Sequence, residues 1–379
     1  MTTPPLTCVV LAAGQGTRMR SLRPKPLHRL CGRAMLLHIL DRLAELVPAQ
    51  VVVVVGHGAE WVTKELVDDG CGGLRVDFVD QLVPRGTGDA LMVGLTALAD
   101  DDLDDPSVEG AEVLVVPGDA PLLRASTLQR LVETHRRTGA AATLLSARVP
   151  DARGYGRVVR GRDERVVRIV EEIEASPDER LIDEVATSVY CFRRSLLAPA
   201  LRRLSPENRK GEYYLTDVIA VLSGAGYPVT SLVVDDPLEV AGVNDRAQLA
   251  VAEAELRRRT NLGWMAMGVT LVDPERTYID ASVGLAPDVT LFPGTLLQGA
   301  TVVAEGAEIG PDSHLVDCLV GAGARVAHTV AVDAEIGPGA EVGPFAHLPS
   351  GTVVPAGQAA GPFYTPARRW AHRRGEASE

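Results

Sequence analysis

Apolar residues in the first third of the chain fall into short unbroken runs, and between them apolar positions recur at helical spacing. Leu6 to Leu11 is a run of strand length, Val51 to Val55 is an uninterrupted β-branched run, and Leu74 to Val79 and Val113 to Val116 repeat the pattern. Runs that are apolar on both faces belong to a parallel sheet covered on both sides. Met35, Leu36, Ile39, Leu40, Leu43, Leu46 and Val47 predict a first helix, Trp61, Val62, Leu66 and Val67 a second, and Ala90 to Leu98 a third. Strand alternating with helix means βαβ units, and hence an α/β fold with a mostly parallel, doubly wound sheet. Further strands are expected over Ala140 to Val149, Arg165 to Val170, Thr187 to Phe192 and Val229 to Val234, with a short helix over Thr216 to Leu222. A first domain over residues 1–244 follows. The plain helical pattern after Asp245, without turn signals, predicts a connector helix over 245–262.

Beyond the connector the period changes. Leu285, Leu291, Leu297, Val303, Ile309 and Leu315 recur six residues apart, and after a break Val330, Ile336, Val342, Leu348 and Val354 resume that period. Aliphatic anchors at a period of six, flanked by Gly, Pro, Ala and Asp, are the mark of a hexapeptide-repeat parallel β-helix. At three hexads per turn the repeats allow about four coils. This domain is assigned to residues 263–358, followed by a basic tail over 359–379 that is expected to be loosely packed or disordered.

Composition narrows the class. The 379 residues are too many for one core, and 46% hydrophobic with 23% charged residues is the balance of a soluble globular protein. A net charge of −12 argues against a nucleic-acid-binding face. Met1 to Pro5 lack the basic start of a signal peptide and no apolar run is long enough to span a bilayer, so a cytoplasmic protein without membrane contact is expected. The five cysteines are scattered without CxxC spacing, which gives neither a disulfide framework nor a zinc site. The acidic segment Asp100 to Asp105 falls between a helix and a strand and reads as a solvated loop.

Candidate chemistry gathers where a parallel sheet delivers it, after the C-terminal ends of strands. The first strand runs into Ala12-Ala13-Gly14-Gln15-Gly16-Thr17-Arg18, followed by Arg20, Arg23 and Lys25. Small residues let the main chain approach a ligand, consecutive amides can form an anion-binding nest, and the cations suit phosphate oxygens. After the third strand come Gln81 and Arg85-Gly86-Thr87-Gly88-Asp89, and after the fourth Pro117-Gly118-Asp119. Two glycine loops, a basic loop and a strand-end carboxylate describe a site for a phosphorylated nucleotide and a hard divalent cation. The third glycine of GxGxxG is missing and no GxxxxGK[ST] occurs, so neither a Rossmann dinucleotide site nor a P-loop is expected. Taken singly, each element has a plain structural reading: Asp119 as a helix cap, Gly154 and Gly156 as a hairpin turn, and Asn244 as the N-cap of the connector.

LAAGQGTRM with Pro24-Lys25 resembles the signature of sugar-nucleotide pyrophosphorylases. The similarity extends through Gly86-Thr87-Gly88, Pro117-Gly118-Asp119, Gly154-Tyr155-Gly156-Arg157, Ile169-Val170-Glu171, Gly211 to Asp217 and Gly242-Val243-Asn244-Asp245-Arg246. With a hexapeptide β-helix behind it, the chain resembles the bacterial bifunctional N-acetylglucosamine-1-phosphate uridylyltransferases/glucosamine-1-phosphate acetyltransferases up to about residue 355. That resemblance implies a Rossmann-like nucleotidyltransferase domain followed by a short left-handed β-helix that assembles as a homotrimer. It implies UTP and a hexosamine 1-phosphate as substrates and Mg²⁺ as cofactor. Carried over by position, it implies that Leu11, Ala12, Ala13, Gly14, Gln81, Gly86 and Thr87 hold the uracil nucleotide. Arg18 and Lys25 grip the phosphates, Asp119 and Asn244 bind the metal, and Gly154, Glu171, Ala186 and Asn244 lie on the sugar side.

The pattern also departs from the family. Ala186 stands where an Asn contacting the amino sugar is expected, and Ala34, Pro84, Asp89 and Ser188 are lesser departures. His347 replaces the first basic acetyltransferase position, and most later acetyltransferase positions fall beyond Glu379, so no acetyl-CoA-dependent activity is expected. Use of dTTP or glucose 1-phosphate, or a catalytically weak regulatory or assembly subunit, are the alternatives. Retention of Arg18, Lys25, Asp119 and Asn244 together disfavours the last.

Overall fold

The computed structural model describes residues 4–71, 73–98 and 110–366. The acidic segment Asp100 to Asp105 and residues 367–379 of the basic tail lie outside the described residues. The chain divides into two compact units, one formed by residues 1–29 and 34–252, the other by 30–33 and 253–379.

In the first unit the apolar runs become strands β1 (Leu6–Leu11), β2 (Gln50–Val55), β3 (Val76–Asp80) and β4 (Glu112–Pro117). They are followed by β5 (Ala142–Arg148), β6 (Arg157–Arg160), β7 (Val166–Val170), β8 (Glu184–Arg193) and β9 (Val229–Val233). The sheet order is β9-β5-β8-β4-β1-β2-β3, with β6 paired to β8 and β7 to β6. The strands β4, β1, β2 and β3 are parallel neighbours, and β8 runs antiparallel between β4 and β5. Burial on both faces is visible within single strands. Cys8 and Val10 pack into one core cluster and Val9 into the other, and Val51, Val53 and Val55 face away from Val52 and Val54. Helices α1 (Met35–Ala44), α2 (Ala59–Asp69), α3 (Thr87–Leu95) and α4 (Ala125–Thr138) are joined by α5 (Arg194–Leu201) and α6 (Asp217–Gly224). Residues of α1 and α4 cover one face, and those of α3, α5 and α6 the other.

Helix α7 (Arg246–Ala266) runs four residues further than the expected connector. After it the second unit forms three stacks of two- and three-residue parallel strands, six in one stack and five in each of the others. Thr290–Leu291, Glu308–Ile309, Arg325–Val326 and Glu341–Val342 sit above one another in register, as a β-helix requires. The coils start at Thr270–Leu271 and reach Ala359–Ala360, so about five are stacked rather than the four counted from the anchors. The break in the repeat has a local cause. Leu315 to Val320, Val326 to Ala331 and Ala331 to Ile336 are five-residue steps between buried positions. Each shortened step shifts the register, so Val330, read as an anchor, faces outward at 47% exposure and Ala331 fills the core. The segment Leu30–Arg33 belongs to this unit: the Cys31 amide donates to Glu253 Oε2 at 2.8 Å and its carbonyl accepts from Ala281 N at 2.9 Å.

The described cysteines are all free, and all but Cys71 are buried. Among the described residues no helix is long and apolar enough to cross a membrane, and no cluster of three His, Cys, Asp or Glu side chains could hold a metal.

Candidate active site

The C-terminal ends of β1, β3 and β4 open onto a cleft of about 560 Å³. Its walls include Leu11, Ala12, Ala13 and Gly14 from the first loop, Gln81, Gly86 and Thr87 from the second, and Lys25 and Asp119. The loop after β1 is held open by main-chain pairing: Ala12 N donates to Val54 O at 2.9 Å, and Gly118 N to Leu11 O at 2.8 Å. Gly16 has φ +62°, and a Cβ there would lie 2.6 Å from Lys25 Cβ, so only glycine brings the loop against the lysine. Gly14 has open space where its Cβ would stand, which leaves main chain accessible to a ligand.

Four residues far apart in sequence converge at one side of this cleft. Lys25 Nζ donates to Asp119 Oδ2 at 2.5 Å and to Asn244 Oδ1 at 2.8 Å. Arg18 Nη2 donates to the same Asn244 oxygen at 2.9 Å. Asn244 is brought over by pairing of its neighbour, since Val243 N donates to Asp119 O at 2.8 Å. Two oxygen donors thus aim at a single cationic point, which suits a hard cation with few protein ligands whose remaining positions are filled by water and phosphate oxygens. The residues fit a divalent metal, which Asp119 and Asn244 would hold.

The second glycine loop is clamped by the Gly211 to Asp217 segment. Gly88 N donates to Tyr213 O and Tyr213 N to Arg85 O, both at 2.8 Å, and Leu215 N donates to Thr87 Oγ1 at 3.1 Å. Gly86, at φ +109°, could not carry a Cβ, which would stand 2.6 Å from Tyr213 O. Gln81 is buried and its amide nitrogen donates to Asp89 Oδ2 at 2.7 Å and to Gly86 O at 3.3 Å.

Gly154, Glu171 and Ala186 are not among the cleft walls. They gather around Gly156: Ala186 N donates to Gly156 O at 2.9 Å, and a Cβ on Gly156 would lie 3.7 Å from Glu171 Oε1. Glu171 Oε1 accepts from Thr216 Oγ1 at 2.9 Å, and the Gly154 amide donates to the Glu172 carboxylate. The Ala186 side chain is packed in the apolar cluster with Ile169 and Tyr190. Arg157 of the same motif is 2% exposed and donates to Tyr155 O, a structural position. Tyr155 is a link between the groups, because burial and then the nearby Asp119 carboxylate push its phenol above the ordinary range.

Three residues in or near the site are given no site role in the sequence reading, although Ser188 is noted as a departure from the family and Glu212 lies in the matching Gly211 to Asp217 segment. Ser188 and Glu212 line the cleft, and Ser188 sits at φ +61° where the β8–β5 register shifts between Ala186 and Tyr190. Strand irregularities of this kind re-aim side chains beside active sites, and no spacing rule locates them in advance. The Tyr190 hydroxyl is buried without a partner among the described residues, and burial followed by Glu171 raises its pKa.

Residues 8–222 match the MobA-like NTP transferase domain. Together with the strand-end cleft and its cationic pair, this makes the chain a nucleotidyltransferase. It is 46% identical over 360 residues to the bifunctional protein GlmU of Streptomyces coelicolor, covering 95% of this chain and 73% of the relative. Similar matches are the bifunctional protein GlmU of Desulfitobacterium hafniense, 43% identical over 351 residues (93% and 74%), and that of Mycobacterium bovis, 45% over 367 residues (96% and 72%). The chain belongs to the GlmU family.

Proposed function

We propose that the chain joins UTP to a hexosamine 1-phosphate, N-acetylglucosamine 1-phosphate or a close relative, releasing pyrophosphate. One observation carries this reading: Arg18 and Lys25 share Asn244 Oδ1 at 2.9 and 2.8 Å, and Lys25 also holds Asp119, at the wall of a cleft formed by a strand-end glycine loop. A sugar phosphate is already an anionic nucleophile, so the protein has no proton to remove. An oxygen of that phosphate attacks the α-phosphorus of UTP, the α–β bridging bond breaks, and its electron pair leaves with pyrophosphate. The chain's part is positioning and charge. Main chain from Leu11 to Gly14 and the Gln81–Gly86 loop hold the base, and Arg18 and Lys25 bind phosphate oxygens in place of part of their present partners. Mg²⁺, held by Asp119 and Asn244, would supply Lewis-acid neutralisation of the phosphate charge. Gly154, Glu171 and Asn244 are read as the sugar side, with Ala186 shaping it by lacking an amide.

The β-helix is read as an assembly element giving a homotrimer. Val302 and Leu319 are neighbours in one register column and are 47% and 54% exposed, an apolar pair suited to a second copy, and exposed Glu335 separates them from Val353 in the same column. Light scattering checks the trimer mass.

The deciding experiment pairs several nucleoside triphosphates with a panel of sugar 1-phosphates and Mg²⁺ and measures pyrophosphate release. UTP with an N-acetylhexosamine 1-phosphate is expected to give the highest kcat/KM, and turnover with no pair rejects the enzyme reading. His347, where an arginine would serve acetyl transfer, supports a further expectation: acetyl-CoA with glucosamine 1-phosphate gives no product.

A further inference from the structure

Gln81 stands at the base end of the cleft with its amide locked. Both partners of its nitrogen, Asp89 Oδ2 at 2.7 Å and Gly86 O at 3.3 Å, are oxygens that can only accept. A carboxylate facing an amide fixes which end is which, because the oxygen end would meet only repulsion there. Gln81 is 7% exposed and borders the cleft, and among the described residues both of its side-chain hydrogen bonds are made by the nitrogen and neither by Oε1. Its one unused polar atom is therefore an acceptor.

We propose that Asp89 is a positioning residue for base selection: by holding the Gln81 nitrogen to the protein, it makes Gln81 offer the cleft a carbonyl oxygen. That oxygen selects a pyrimidine whose N3 carries hydrogen, such as uracil or thymine, over cytosine, whose N3 is a lone pair. The inference rests on the nucleotidyltransferase reading and concerns its base subsite. Without Asp89 the amide keeps only the longer bond to Gly86 O, and its two faces approach equal weight. An amide free to turn can donate to cytosine N3 as readily as it accepts from uracil N3–H, so selection falls rather than binding as a whole.

Asp89 also lies in the first turn of α3, where a carboxylate favours the helix N-terminus. A purely structural role would therefore weaken all nucleotides alike, and the ratio separates the two. The test measures kcat/KM for UTP, dTTP and CTP with one sugar 1-phosphate in the full chain, for wild type, Asp89→Leu, Asp89→Ala and Asp89→Asn. Leu and Ala are expected to lower the UTP/CTP ratio at least tenfold, and Asn, which retains an acceptor, to keep it within about threefold of wild type. If one apolar variant does not fold, the other carries the comparison. An unchanged ratio in the apolar variants, or equal losses for UTP and CTP, overturns the proposal. A wild type that prefers dTTP rejects the uridylyl reading but leaves this inference readable in the dTTP/CTP ratio, and one that prefers CTP overturns both.

Discussion

The contact between Lys25 and Asp119 sets the polarity of the candidate site. The ammonium fills the point on which Asp119 Oδ2 and Asn244 Oδ1 converge, at 2.5 and 2.8 Å. In the proposed reaction a triphosphate entering the cleft would compete for Lys25, which would free the two oxygens for a hard cation. Asp119 is the only carboxylate of this set, so Asp119→Ala is expected to lower Mg²⁺-dependent kcat by about 10²–10³-fold, the usual loss when one electrostatic stabiliser is removed. Its side chain is partly exposed, so the unfolding temperature is expected to stay within a few degrees. Turnover in a Mg²⁺ titration and a calorimetric scan of the same preparation check both halves, and full activity would show that the metal ligand lies elsewhere. Arg18, Lys25 and Asp119 were legible in the sequence because strand ends and glycine loops announce themselves locally. The Asp89–Gln81 lock was not, since only the folded loop reveals which atom of the amide is committed.

Elements were legible where their apolar period was long. β1 and β2 were found within a residue of their ends because runs such as Val51 to Val55 admit no other reading. Helix α4 went unplaced because its polar outer face, with Glu133, Arg136 and Arg137, dilutes the stripe of Leu128, Leu131 and Val132 that meets the sheet. β6 was hidden by its four-residue length and α5 by Pro199 within it. That same α4 carries His135, which packs against β5 with its Nδ1 2.9 Å from Thr143 Oγ1. Burial, with Arg193 and Arg136 adding repulsion, lowers the His135 pKa to about 4. The unfolded chain binds a proton near pH 6.5 and the folded one only near 4, so acid favours unfolding across that window. His135 thus contributes stability above pH 6.5 that is lost as pH falls toward 4, amounting to roughly 3 kcal/mol by linkage. Comparing denaturant midpoints of wild type and His135→Gln cancels the carboxylates that titrate in the same range. The wild-type midpoint is expected to fall faster between pH 6.5 and 4.5, and parallel curves would contradict the buried neutral histidine.

At the scale of the molecule, two kinds of order meet in one chain. The α/β unit is specified by long-range pairings such as β4 with β1, whereas each coil of the β-helix answers only to the coils above and below it. The hexad period was therefore visible from a handful of anchors, while the five-residue steps at Val320, Ala331 and Ile336 needed the stacked coils to show which side chain turns inward. Glycines in the repeat carry the same nearest-neighbour logic. A Cβ on Gly321 would lie 2.4 Å from Pro338 N and 2.8 Å from Gly337 C, backbone atoms of the next coil that cannot swing aside. Gly321→Ala is accordingly expected to cost about 1–3 kcal/mol through overpacking, confined to the stack. Every residue assigned to nucleotidyl transfer lies between Leu11 and Asn244, within the other unit. The variant should show a lowered β-helix transition by calorimetry and an unchanged kcat/KM for pyrophosphate release at 25 °C. If turnover instead falls in step with coil stability, the active site draws on the β-helix for its shape, and the two units act as one catalytic body.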